Sequence, residues 1–150
     1  MPLSELAHAI QNLRLFTAVR ESALAYPIIL SSHLSGIALF GGAILMTNLR
    51  LLGFALTGQP PAEVIAQLRV WKFLGLAIML ATGSLLAGAK FESYYANPFF
   101  VAKISLLILV GIHAWFFRGC VGGKASACLS LVLWLAIVTA GRLIAYYEGP

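Results

Sequence analysis

Four apolar stretches dominate this chain and decide what it can fold into. They occupy residues 28–46, 70–89, 99–117 and 129–147, and a helix that crosses a bilayer needs roughly 20 such residues. Inside lipid every backbone N–H and C=O must be satisfied within its own segment, which leaves helices as the form for these runs. Only 10% of the 150 residues are charged, against roughly 25% in a soluble domain, and nothing is left over to build one. The expected fold is all-α, a single membrane domain over residues 1–150. Short connections make neighbours antiparallel, so the four transmembrane helices form an up-down bundle.

Local signals set the expected boundaries. Leu3, Leu6, Ile10, Leu13 and Thr17 recur at three-to-four spacing with Glu5, His8 and Asn12 opposite. That pattern predicts an amphipathic helix over 3–20, lying in the interface plane. It has no compact apolar core and no basic start, so it does not read as a cleavable signal peptide. The transmembrane helices are expected at about 27–50, 70–90, 98–118 and 126–147. Pro27 and Pro98 suit first-turn positions, and Asn97 suits a cap. Residues 51–68 read as a loop with a short helical stretch at 62–68, because Gly53, Gly58, Pro60 and Pro61 interrupt the pattern. Small residues, among them Ser32, Gly36, Gly42, Gly75, Ala81 and Gly83, mark close helix contacts.

The formal charge of +5 is not a nucleic-acid signal, because the bases are spread among helix ends rather than clustered, and no nucleic-acid partner is expected. It fits contact with anionic lipid. One face carries Arg50, Arg69, Lys72, Arg118 and Lys124, with Glu63 as its only acid. The opposite face carries Tyr26, Tyr94, Tyr95, Tyr146 and Tyr147 as an aromatic belt. The opposite face carries as many bases, Arg14, Arg20, Lys90, Lys103 and Arg142, so the count alone is a tie. Because the bases of the first face lie in short loops or at helix ends, that face is expected in the cytoplasm and both termini outside. Cys120 and Cys128 are expected to be free thiols.

The residues that invite a functional reading are ionisable groups at membrane depth, which are costly and face an interior, a partner or a cavity. His33, Lys103 and Arg142 each lie five or six residues inside a helix from the tyrosine face, so all three fall in one slab roughly 6–10 Å below it. Tyr95, Glu92 and Glu21 stand at its rim. Three readings compete. His33 ligates the iron of haem b, with Lys103 and Arg142 binding the propionates and Met79 as a conceivable sixth ligand. Alternatively the pocket holds a quinone or lipid headgroup. In the third reading Lys103 and Arg142 snorkel to the interface while His33 hydrogen-bonds a neighbouring helix. His113 is too far along its helix to share one macrocycle with His33. It could form a soft metal site with Cys120 and Cys128, though their spacing matches no recognised pattern. His8 sits on a solvated face. No nucleophile–base pair, phosphate loop or carboxylate dyad is present, so hydrolase and transferase chemistry find no support.

Several landmarks look familiar together. Tyr26-Pro27, His33-Leu34-Ser35-Gly36, Leu49-Arg50-Leu51-Leu52-Gly53, Thr82-Gly83, Tyr95-x-Asn97-Pro98 with Lys103, and Ala140-Gly141-Arg142 resemble a family of small bacterial four-helix membrane proteins catalogued as a domain of unknown function. The resemblance implies a multi-pass protein of the bacterial inner membrane and transfers no activity. Asn48 and the serines before His33 stand where acids are expected, which argues against a proton relay. Helix count and the early embedded histidine are also distantly similar to copper-resistance D proteins and to membrane protoporphyrinogen oxidases; this fold-level likeness implies haem at His33 and adds little for copper. Two functions follow as expectations. One is a haem- or quinone-associated electron-transfer component. The other is a non-catalytic accessory or scaffold subunit of a larger membrane complex.

Overall fold

The structure is a computed structural model that describes residues 3–116 and 123–147. Among these residues every regular element is helical: α1 (Leu3–Gln11), α2 (Arg14–Glu21), α3 (Ala25–Leu52), α4 (Pro61–Ala89), α5 (Phe91–Tyr95), α6 (Pro98–Phe116) and α7 (Lys124–Leu143), the last continued by a 3-10 turn over Ile144–Tyr146. Four of them are long and apolar enough to cross a membrane, namely α3, α4, α6 and α7 with its 3-10 turn. The expected all-α fold of four spanning helices behind a short N-terminal helical segment is the one observed.

Two boundaries differ from the sequence expectation. The loop over 51–68 is much shorter, because α4 runs unbroken from Pro61. Pro61 stands in the first turn, where its missing N–H breaks no bond, so the proline that suggested a loop instead starts the helix. At 28 and 29 residues, α3 and α4 are each about 42–44 Å long and exceed a hydrocarbon core of roughly 30 Å. The link between them is set by Gly53, whose φ of 87° closes α3 in a Schellman arrangement. Phe54 N–H reaches Leu49 O at 2.9 Å and Gly53 N–H reaches Arg50 O at 3.1 Å. Arg50 Nε donates to Gln59 O at 2.7 Å and ties the loop down.

The second difference is a break in the amphipathic segment. Leu13 adopts an extended ψ of 138° and divides it into α1 and α2. The two halves have different anchors. Gln11 on α1 donates to Glu92 Oε2 at 3.0 Å and accepts from Glu92 N–H at 2.9 Å, which fixes α1 to α5. Phe16 on α2 lies so close over Gly88 of α4 that any Cβ there would collide with its ring. Ala7 and Val19 turn inward, while Leu6, Leu13 and Leu15 stay exposed, as lipid-facing side chains would.

In space the spanning helices follow the order α4, α3, α7, α6, with α3 packed on both α4 and α7. Glycines bring α3 and α4 into backbone contact. A Cβ at Gly75 would stand 2.7 Å from Phe40 N, and one at Gly36 would stand 3.2 Å from Gly75 O. Between α3 and α7, the Trp134 indole fills the space a Cβ at Gly41 would need and meets Phe40 edge-on at 5.3 Å. No described residue of α6 is buried, so α6 forms an edge that rests chiefly on α7. Asn97 fastens that edge. Its Oδ1 accepts from Phe99 N–H at 2.9 Å and caps α6, while its Nδ2 donates to Ile144 O at 3.2 Å.

Candidate functional site

His33 sits on the side of α3 that faces α4, eight residues from Ala25, so about 12 Å along the helix. Antiparallel packing sets Thr82 and Gly83 opposite it. The imidazole fits because Gly83 has no side chain; a Cβ there would stand 3.0 Å from His33 Cε1. Nδ1 lies 2.9 Å from Thr82 Oγ1, and the Thr82 hydroxyl donates its one proton to Ile78 O. Toward the ring, therefore, Thr82 acts as acceptor. The Thr82 contact thereby assigns the proton to Nδ1 and leaves Nε2 as the acceptor nitrogen of the neutral ring, with the Met79 backbone carbonyl also beside the imidazole.

Lys103 comes from the other side of the row. It sits on α6, half-buried, with its stem and ammonium laid over Gly141 of α7; a Cβ at 141 would stand 3.2 Å from Nζ. From there its charge acts on the His33 ring. Among the described residues no carboxylate meets either group. The embedded histidine and the embedded lysine of the sequence slab are thus brought within electrostatic reach of each other, across two glycine-lined helix contacts.

The other residues of the slab go elsewhere. Arg142 is exposed, and its Nη2 donates to Tyr146 Oη at 2.7 Å while the guanidinium stacks on the same ring at 4.9 Å. That is a cation reaching along its own helix to the interface. Tyr95 lines a groove of about 250 Å³ with Phe91, Phe100, Val101, Ile104 and Ser105, whose walls include neither His33 nor Lys103. Met79 is buried, with its Cγ packed toward Gly36 one turn from His33. Glu92 is engaged by Gln11. His113 Nε2 lies 3.2 Å from Ser126 Oγ, far along α6. Cys128 is an exposed free thiol. Arg118, Cys120 and Glu148 lie outside the described residues, and so does part of the proposed His113–Cys120–Cys128 group. Among the described residues no three His, Cys, Asp or Glu side chains converge on a point that could hold a metal ion.

The tyrosine face is held by contacts of its own. Lys90 Nζ stands 4.9 Å from the Tyr26 ring centre, and Tyr94 stacks on Phe100 at 5.4 Å. Burial, reinforced by the charge and hydrogen bond of Tyr26, pushes the Tyr94 phenol up to about 12. The Tyr94 ring stays neutral at physiological pH and suits a membrane–water boundary.

Sequence reading missed the role of Thr82. The signal was available in depth matching. Thr82 lies seven residues from the end of α4 and His33 eight from the start of α3, so antiparallel helices joined at the basic face put them level.

Four helices long and apolar enough to cross a membrane define a small multi-pass membrane protein. The chain belongs to a family of unknown function, DUF6644, whose model matches residues 23–147. The match takes in all four spanning helices and leaves α1 and α2 outside. No curated protein and no solved structure matches the chain.

Proposed function

We propose that this protein is an electron-transfer component of the bacterial cytoplasmic membrane that binds a quinone headgroup between His33 and Lys103. The observation that carries this reading is the pairing of an acceptor with a donor. His33 Nε2 is the acceptor nitrogen of a ring oriented by Thr82, and the Lys103 ammonium acts electrostatically on that ring, with no carboxylate beside it among the described residues. A quinone carbonyl accepts from an ammonium, and a quinol hydroxyl donates to an imidazole, so both redox forms find a partner. Neither residue moves electrons; the donor and final acceptor would be other proteins.

Haem b is the second reading, supported by the same Thr82 contact. A metal-ligating histidine usually donates its other ring N–H to a second group, which fixes the tautomer. The donor set fits one axial ligand, His33 Nε2, and one propionate contact, Lys103. Bound there, haem would supply one-electron chemistry. Met79 packs toward Gly36 and Arg142 is held by Tyr146, so this reading uses neither. The accessory-subunit reading rests on the unburied edge at α6.

Binding of a short-chain ubiquinone to the detergent-solubilised protein tests the proposal. Losing a charge-assisted hydrogen bond costs roughly 1.5–3 kcal/mol, so Lys103→Met is expected to weaken ubiquinone binding by about ten-fold or more; His33→Ala removes a neutral bond and should weaken binding of the quinol form by about five-fold. Thr82→Val keeps the shape and removes the hydroxyl; it should weaken binding less. Arg142→Ala should leave it unchanged. Equal affinity in wild type, His33→Ala and Lys103→Met would sink the quinone site. A reduced-minus-oxidised spectrum on the same sample distinguishes haem, and a colourless protein without quinone affinity would leave the accessory role.

A further inference from the structure

The basic face holds a second cation at membrane depth. Lys72 lies eleven residues into α4 and is half-buried against α3. Its Nζ donates to Thr47 Oγ1 at 3.5 Å, and the Thr47 hydroxyl donates in turn to Ala43 O at 2.7 Å. Thr47 is a buried polar residue, as is the adjacent Asn48, which bonds Ser130 of α7 at 3.0 Å. Arg69 stands one turn before Lys72, on the same side of α4, close enough for its charge to act on Lys72.

Among the described residues neither Lys72 nor Arg69 meets a carboxylate. Glu63, the one acid of this face, accepts from Gln67 and lies nine residues from Lys72, about 13 Å along the helix. Arg50 is different, because the Gln59 carbonyl takes its guanidinium. An embedded ammonium with only a neutral hydroxyl for company marks a place where charge arrives from outside.

The surroundings say what brings it. Val70, Phe73 and Leu74 are strongly exposed and apolar on the same stretch of α4, and Trp71 is exposed beside them, where an interfacial ring would mark headgroup level. We propose that Lys72, positioned by the Thr47 hydroxyl, and Arg69 form a specific site for the phosphate of an anionic phospholipid, with its acyl chains lying along the exposed apolar face of α4. This goes beyond the His33–Lys103 reading and does not depend on it. The two sites lie toward opposite faces, and the Phe40–Trp134 contact lies between them along α3.

Native mass spectrometry of the full chain, released from nanodiscs holding equal phosphatidylglycerol and phosphatidylcholine with identical chains, tests the site. A basic residue near a lipid headgroup is worth about five-fold in binding, and two about thirty-fold. Wild type should therefore retain phosphatidylglycerol about thirty-fold over phosphatidylcholine. Lys72→Gln and Arg69→Gln should each lower the preference about five-fold, and the double variant should bring it near parity. Lys90→Gln on the opposite face should keep the full preference. The charge-conserving pair Lys72→Arg with Arg69→Lys should retain most of it, which separates lost charge from lost folding. Parity in wild type, or an undiminished preference in the double variant, overturns the proposal. So does stabilisation by inorganic phosphate alone without retention of phosphatidylglycerol, since the site would then take a soluble anion.

Discussion

Lys103 on α6 and Gly141 on α7 are fitted to each other. The lysine stem crosses the helix contact over the glycine, with Nζ 3.2 Å from where a Cβ would stand. The glycine therefore sets where the ammonium goes. Its sequence neighbour Arg142 points away to Tyr146, so one turn of α7 sends one cation inward and the other to the interface.

Gly141→Ala should be tolerated, because the atom it meets is the far end of a flexible side chain. Gly141→Leu should push Lys103 out of the crossing while the protein still inserts. The expected outcome is a loss of short-chain quinone affinity comparable with that of Lys103→Met, about ten-fold for one charge-assisted bond. Wild-type affinity in Gly141→Leu would show that Lys103 does not need this path.

Gly75 and Gly42 should respond oppositely to alanine. A Cβ at Gly75 meets the backbone of Phe40 at 2.7 Å, whereas one at Gly42 meets nothing within 4 Å. Backbone cannot step aside as a side chain can, so Gly75→Ala should separate α3 from α4 at a cost of about 1–3 kcal/mol. Gly42→Ala should be neutral or slightly stabilising. Thermal unfolding in detergent, followed by circular dichroism, compares the two. Equal midpoints would refute the close contact.

Asn97 uses both ends of its amide, and the two uses can be separated. Alanine removes the α6 cap and the bond to Ile144 O together, and a cap alone is worth about 1 kcal/mol. Aspartate keeps the capping oxygen but faces Ile144 O with an acceptor where Nδ2 had donated. Asn97 is only 3% exposed, so that mismatch is not relieved by water. Asn97→Asp is thus expected to stay close to alanine in stability rather than to wild type. Serine, which caps without opposing the carbonyl, should recover part of the loss. Full rescue by aspartate would mean the α7 contact contributes nothing.

The parts of this fold legible in the sequence were those written in local chemistry. Four apolar runs gave the helices, Asn97-Pro98 gave the start of α6, and Gly53 gave the end of α3. Pro61 misled because proline punctuates and initiates with the same residue, and only the register of α4 against α3 distinguishes the two uses. The break at Leu13 was invisible because its cause is tertiary: Gln11 is held by Glu92 and Phe16 by Gly88, eighty-one and seventy-two residues along the chain. The site was half legible. Depth counting placed His33, Lys103 and Arg142 in one slab but could not say which way each points around its helix. That angle brings Lys103 toward His33 over Gly141 and sends Arg142 to Tyr146. Thr82 was quoted as a landmark without its role, since a threonine in a helix more often satisfies its own backbone; here it does that and holds the imidazole as well.

The tyrosine face should show a late alkaline transition. The Tyr94 phenol is pushed from 10.0 up to about 12, first by burial and then by Tyr26. A folded-state value above the unfolded one means that folding favours the protonated form. Its contribution to stability is complete below about pH 10 and is lost as pH rises through the folded value near 12. Absorbance titration of phenolate should therefore show a late component near the value of Tyr94, with unfolding setting in over the same upper range. Tyr94→Phe should remove the late component and carry the ring into the stack on Phe100 unchanged, so the protein should hold its structure to higher pH than wild type. A Tyr94→Phe titration that still shows the late phenol would assign it to another ring and withdraw Tyr94 from the alkaline transition.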